Sequence, residues 1–166
     1  PVEAPGAQPE TGVPEASMFA DVPQSHWAYS YIQRLKVLKV LEGTGGNRFE
    51  PESEVTTAEF AKMMITAAGI PLSERKETFL DVDEDDWFAA YAAAALERGL
   101  VEDTGYFYPE EPLKREKMAF MLYRAIQVKG ITLSQDQDYS YADADQISPD
   151  RAEAVRVLSS SGVLCG

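Results

Sequence analysis

Phe79-Leu80-Asp81-Val82, followed by Trp87, restates Phe19-Ala20-Asp21-Val22 and Trp27 from 60 positions earlier. After each stretch come apolar residues at helical spacing, a glycine-containing turn and an aromatic-x-Pro signal. That signal is Phe49-Glu50-Pro51 in one copy and Phe107-Tyr108-Pro109 in the other, and a second helical segment follows both. A third copy opens at Tyr141-Ala142-Asp143-Ala144 and runs through Ala152, Val155 and Leu158 to Gly162-Val163-Leu164-Cys165-Gly166. Self-similarity at a fixed long period marks a repeat architecture, in which each unit buries its apolar face against its neighbours.

Periodicity carries the helical reading. From Trp27, the residues Tyr31, Ile32, Leu35 and Leu38 recur at helical spacing and are expected to face the core, with Gln33, Arg34, Lys36 and Lys39 toward water. Gly43-Thr44-Gly45-Gly46-Asn47 supplies positive φ and is expected to end that element. Thr56 with Glu59 makes a capping box ahead of Ala61, Met64, Ile65 and Ala68, and Gly69 with Pro71 closes that helix. In the second copy Asp85 or Asp86 is expected to cap a helix through Tyr91, Ala92, Ala95 and Leu96 to Gly99. Ala119, Leu122, Tyr123 and Ile126 then match the earlier stripe with a shift of 58. The two residues lost lie between Gly43 and Phe49, in a loop, where a packed repeat tolerates deletion. Ser148-Pro149 predicts an N-cap and a first helical residue in the third copy. Every strong segment has a period near 3.6, so the expected class is all-α. The expected layout is a Pro- and Glu-rich linker at 1–17, repeats at about 18–72 and 78–130, and a partial repeat at about 140–166.

Composition narrows the function. The 166 residues suffice for one domain with a substantial core. A formal charge of -13 argues against broad binding to nucleic acid or anionic lipid, which reward dense Lys and Arg, so an anionic ligand must meet a local basic group. The single cysteine, Cys165, leaves no intramolecular disulfide and no thiol cluster for zinc. No run of apolar residues is long enough to span a membrane, and the first residues lack the basic-then-apolar pattern of a signal peptide. Asp81-x-Asp83-x-Asp85 opens like a calcium loop, but its sixth position is Asp86 rather than Gly and its twelfth is Ala92 rather than Glu. No metal or other cofactor is expected. His26 has no acid at a triad spacing and nothing selects a catalytic carboxylate pair, so the chain is read as non-enzymatic.

With F-x-D-V, a following Trp, an apolar helix, a Gly turn, F-x-P and then Thr56-Thr57-Ala58-Glu59-Phe60-Ala61 in order, the stretch from Met18 to Gly166 resembles the S-layer homology family of bacterial cell-surface modules. The resemblance implies a pseudo-threefold helical repeat bundle, with a short helix, a loop and a long helix per repeat. It further implies anchoring of an exported protein at the wall or S-layer, by binding an anionic, often pyruvylated, secondary cell-wall polysaccharide in grooves between repeats. The family's long helix commonly opens with T-R-A-E, whose Arg pairs with a ligand carboxylate. In the first copy that Arg position holds Thr57; in the second, Lys114-Arg115-Glu116-Lys117 retains it as Arg115. Arg115, flanked by Lys114 and Lys117, is thus the implied anion contact, and Thr57→Arg is expected to restore a second groove. Trp27, Trp87, Asp21, Asp81 and the turn glycine Gly43 complete the candidate set.

Each candidate also has a plainer reading. A guanidinium fork matches a carboxylate bidentately, and a helix N-terminus adds oriented N–H donors; yet Arg115 could equally serve a surface pair with Glu111 or Glu116. Trp27 and Trp87 offer flat faces for a sugar, but beside Phe19 and Phe79 their expected place is the core. Asp21 and Asp81 are expected to accept backbone hydrogen bonds in their turns rather than touch ligand. Alternative functions are a degenerate module that contacts protein or a copy of itself, and a wall-polysaccharide hydrolase. The family also implies a third long helix. Its vacant position is expected to expose apolar surface, made adaptable by Met63 and Met64, for sequence beyond Gly166, another subunit or a second copy to cover.

Overall fold

The computed structural model describes residues 17–75, 78–136 and 141–165. The expected linker lies outside them apart from Ser17. Five α-helices appear, α1 (Tyr29–Val37), α2 (Thr57–Ala67), α3 (Ala89–Glu97), α4 (Arg115–Val128) and α5 (Ala152–Ser160), with one 3₁₀ turn at Ala144–Gln146. No strand occurs among the described residues, so the chain is all-α. It forms two compact units, one up to Glu52 and one from Ser53 onward.

The first unit packs Phe19, Val22, Ala28, Ile32 and Leu41 together, with Met18, Tyr29 and Phe49 against them. Asp21 organises its turn. Its carboxylate accepts the backbone N–H groups of Phe49 at 2.9 Å and Glu50 at 2.8 Å, pinning Glu50 in a left-handed conformation at φ 59°. Burial alone would raise the Asp21 pKa, but those two N–H groups, with Arg48 nearby, outweigh it and hold the carboxyl below its ordinary range. Gly43 does not end the helix. A Cβ there would stand 2.6 Å from the Phe19 ring, so glycine is required for close approach to the aromatic pair Phe19–Phe49.

α1 departs from the expected orientation. Ile32 and Gln33 are buried, while Tyr31, Leu35 and Leu38 are exposed. Gln33 can occupy the core because both ends of its amide are engaged, Oε1 accepting from Met18 N and Nε2 donating to Ser17 Oγ.

In the second unit α2 packs on α3 and α4, and α5 on α4. The expected α2 stripe holds, with Ala61, Ile65 and Ala68 buried and Met64 partly so. The capping box forms as well: Glu59 N donates to Thr56 Oγ1, and Thr56 N donates to the Glu59 carboxylate. Ala89, Ala92, Ala93, Ala94 and Ala95 are all buried, small side chains that let α3 lie close to its neighbours. α4 buries two faces, Met121 and Ala125 in one cluster and Ala119, with Leu122, Tyr123 and Ile126, in the other. The Asp21 turn recurs here, with Asp81 accepting the N–H groups of Phe107 and Tyr108, both at 2.8 Å, and Tyr108 at φ 57°. Two expected caps do not form. Asp86 accepts from Asp83 N one turn before α3, and Ser148-Pro149 lies in a turn ahead of α5, which starts only at Ala152.

All five helices end alike. The N–H groups of Lys39, Gly69, Gly99, Gly130 and Gly162 reach back to the carbonyl three residues earlier, and the next residue reaches back five. Four of these positions are glycine; Lys39 takes the same left-handed conformation at φ 58°. A side chain there costs about 1–2 kcal/mol, partly offset by the extra unfolded-state freedom of glycine. Lys39→Gly is therefore expected to stabilise the first unit by about 0.5–1 kcal/mol, read as a higher urea midpoint by far-UV circular dichroism.

Candidate functional site

α4 begins without a side-chain cap. The position that Glu59 holds in the α2 capping box is Lys117 here, so the box is lost, and the backbone N–H groups of Arg115, Glu116 and Lys117 meet no acceptor among the described residues. This open helix start heads a groove of 590 Å³. Lys114, Arg115 and Glu116 line it together with Tyr141, Asp143, Gln146 and Ile147 and the apolar Val155 and Leu164.

The charges in the groove are not equivalent. Glu116 is turned into the protein: its carboxylate accepts from Ser148 N at 2.9 Å, Ser148 Oγ at 3.2 Å and Arg151 Nη1 at 3.3 Å. The Ser148 amide, helped by its hydroxyl and by Arg151, holds this carboxyl below the usual glutamate range against the opposing effect of burial. Arg115 pairs with neither Glu111 nor Glu116. It donates from Nη2 to the Cys165 carbonyl, which uses one of five guanidinium donors and anchors the fork at the groove. Lys114 is exposed.

The other sequence candidates fall elsewhere. Lys117 is half-buried with Nζ 3.3 Å from Thr57 Oγ1; desolvation lowers its pKa, and the charge of Arg151 lowers it further. Thr57 is 1% exposed. The first N–H groups of α2, those of Thr57 and Ala58, donate to the carbonyls of Glu111 and Pro109, so this helix start is closed to a ligand. Asp81, like Asp21, is engaged with backbone. Among the described residues no cluster of His, Cys, Asp and Glu could hold a metal ion.

Neither tryptophan is in the core. Trp87 is 54% exposed, edge-on to Phe88, with Lys62 Nζ 5.7 Å from its ring centroid; Trp27 is 81% exposed beside His26. The residues just behind them, Ala28 and Phe88, take the buried position instead. Trp27, Asp21 and Gly43 belong to the first unit, and the groove residues belong to the second. Tyr141 was not foreseen as a groove residue. Its one signal was a tyrosine where the other copies have the buried Phe19 and Phe79; its hydroxyl lies 2.7 Å from Ser159 Oγ, which keeps the ring half-buried at the groove wall.

Against the description of known families, the S-layer homology domain matches residues 19–61 and 78–119. The chain belongs to the S-layer homology family. An endoglucanase from Bacillus sp. (strain KSM-635) is 33% identical over 141 residues, spanning 83% of this chain and 15% of that protein. The S-layer protein sap of Bacillus anthracis is 32% identical over 112 residues, 66% of this chain and 14% of that protein. A cell surface protein of Thermoanaerobacter kivui is 34% identical over 114 residues, 69% of this chain and 13% of that protein. The chain thus spans a small part of each relative, and the enzyme among them shares only that part. S-layer homology domains are cell-surface anchoring modules, which places this chain at the bacterial cell wall or surface. No helix among the described residues is long and apolar enough to cross a membrane.

Proposed function

We propose that the chain is a non-catalytic anchoring module that holds an exported protein at the wall by binding an anionic, pyruvylated secondary cell-wall polysaccharide in the groove headed by Arg115. The observation that carries this is the open start of α4: unpaired N–H groups, a fixed guanidinium and the exposed Lys114 converge on one groove of a chain that is otherwise acidic. Helix dipole and charge-assisted hydrogen bonding act together there on a carboxylate, while Tyr141, Val155 and Leu164 offer apolar surface to a sugar ring. In this reading the repeats at about 18–72, 78–130 and 140–166 form the family's pseudo-threefold bundle, and Lys117 and Thr57 support the neighbouring helix start rather than touch polymer.

The test is retention on purified cell-wall sacculi, before and after extraction of the secondary polymer. Arg115→Ala removes a charge-assisted pair worth about 1.5–3 kcal/mol, so retention should fall roughly 10- to 100-fold, and Lys114→Ala should cost less. Undiminished binding by Arg115→Ala, or equal binding to extracted sacculi, would reject the groove as the anchor. Release of soluble sugar during the incubation would favour the hydrolase reading instead.

A further inference from the structure

The first two copies build the same loop with different surfaces. In the second, Phe107 is buried against Phe79 and Phe88, while Tyr106 and Tyr108 on either side of it are 45% and 46% exposed. The two outer rings stack on each other, with centroids 5.7 Å apart and planes 23° from parallel. Leu80 is exposed on the same loop, its Cδ1 lying 3.9 Å from where a Cβ on Gly105 would stand. The corresponding residues of the first copy are Ala20, Arg48 and Glu50, with Arg48 Nε 3.7 Å from the Glu50 carboxylate. An ion pair is thus exchanged for a pair of rings, and an alanine for a leucine. Met63 and Met64, expected to offer adaptable apolar surface, are instead half-buried on α2.

The rings are fixed before any ligand arrives. Asp81 accepts the N–H groups of Phe107 and Tyr108, Leu80 N donates to the Gly105 carbonyl at 2.9 Å, and Thr104 Oγ1 donates to the Tyr106 carbonyl at 2.9 Å. The loop already makes its contact with the preceding copy, through the carbonyls of Pro109 and Glu111 at the start of α2. That packing leaves both tyrosines half in water. Tyrosines on a rigid loop lose little freedom when a ligand covers them, so their burial is retained as affinity.

Chemistry selects the ligand. A cavity of 120 Å³ adjoins the rings, and its lining includes Glu102, Thr104, Lys117 and Arg151. The charges there are answered within the protein: Arg151 lies 3.0 Å from Glu102 and 3.3 Å from Glu116, and Lys117 Nζ lies 3.3 Å from Thr57 Oγ1. Two cations against two carboxylates leave little to attract an anion, unlike the groove headed by Arg115. The cavity has space for a ring substituent rather than a whole sugar. Thr104 Oγ1 keeps lone pairs with which to accept from a hydroxyl. Aromatic faces with a few polar groups at their edge match the apolar C–H face of an uncharged sugar.

We propose that Tyr106, Tyr108 and Leu80 form a stacking platform for an uncharged hexopyranose of a wall glycan, with one ring substituent entering the cavity beside Thr104. The platform is separate from the groove headed by Arg115 and gives the module a second hold on the wall.

The experiment titrates cellotetraose and chitotetraose, both uncharged, and anionic trigalacturonate onto the isotopically labelled 166-residue chain, followed by amide NMR. At least one uncharged tetrasaccharide should shift the amide signals of Thr104, Tyr106 and Tyr108, and trigalacturonate should bind there about tenfold more weakly or not at all. The double variant Tyr106→Arg with Tyr108→Glu installs the ion pair that the first copy holds on the same loop. It should abolish the shifts and leave the melting temperature unchanged; Tyr106→Ala serves as the second variant should the double one melt early. Tyr106→Phe should keep binding, because the face rather than the hydroxyl does the stacking. Arg115→Ala should leave the loop shifts intact, so loss of groove binding and loss of platform binding are read apart. No shift with either uncharged sugar, equal affinity for trigalacturonate, or shifts that survive both the double variant and Tyr106→Ala would overturn the proposal. So would sedimentation velocity showing a dimer that the double variant dissociates, since the rings would then belong to a contact between copies.

Discussion

Thr57→Arg is expected to destabilise the second unit by about 3–5 kcal/mol and to add nothing to polymer binding. The resemblance alone predicts the reverse, because the Arg of the family's T-R-A-E motif would stand at this position. The structure closes that route. Thr57 is 1% exposed, its N–H donates to the Glu111 carbonyl, and its hydroxyl lies 3.3 Å from Lys117 Nζ. A guanidinium here would be placed against a half-buried ammonium and beside the Pro109–Glu111 backbone. Both an uncompensated charge and overpacking then act in the same direction. Urea unfolding followed by circular dichroism reads the loss, and the sacculus assay reads binding. A variant that folds as well as the parent and binds more polymer would show that the loop over Thr57 opens readily.

What could be read in advance divides along physical lines. Features fixed by a few neighbouring residues were legible: the Thr56–Glu59 box and the α2 stripe. Asp21 and Asp81 do accept backbone N–H groups, but those of Phe49 and Phe107, 28 and 26 positions along the chain, rather than of their own turns. Arg115 and Lys114, singled out by the motif at a helix start, line the groove of the second unit. Periodicity fails where a helix is apolar on two sides. In α1 it picks out Ile32 together with Tyr31, Leu35 and Leu38 but cannot say which side meets the core, and it assigns Gln33 to water when Met18 N and Ser17 Oγ satisfy it inside. The same blindness hid the second buried face of α4, at Met121 and Ala125. Lys117 looked like part of a basic spot; only the packing of α2 beside α4 shows that its amine points to Thr57. Tyr141 and Ile147 reach the groove through a contact between distant stretches of chain, which no local pattern records.

Arg151→Met is expected to cost the second unit about 2–3 kcal/mol at neutral pH and to flatten its acid unfolding. Arg151 stands just before α5, where Phe88 stands before α3, so a cation fills a site that another copy gives to a buried ring. It is held there by two carboxylates, Glu102 at 3.0 Å and Glu116 at 3.3 Å, with Asp150 at 3.6 Å. Side-chain exposures of 18% for Arg151, 20% for Glu116 and 37% for Glu102 place the cluster between surface and interior, which argues for less than the 3–5 kcal/mol of a fully buried pair. The pH dependence follows from Glu116. Its folded pKa is lowered by the Ser148 amide, by the Ser148 hydroxyl and by Arg151, so its contribution is full above the ordinary glutamate value of about 4.3 and is lost as pH falls through the folded value. Without Arg151 the folded value rises toward the ordinary one. The parent and Arg151→Met should therefore differ most at neutral pH and converge below about pH 4. Lys117 supplies an independent reading: freed of the repulsion from Arg151, its amine should titrate at higher pH in the variant, visible by NMR of its side chain. Adding Glu102→Gln and Glu116→Gln to Arg151→Met should recover most of the lost stability, because the cost lies in leaving the carboxylates unpaired rather than in losing the cation itself. A triple variant as unstable as the single one would instead assign Arg151 a packing role, its aliphatic stem filling the space that Phe88 fills in the preceding copy.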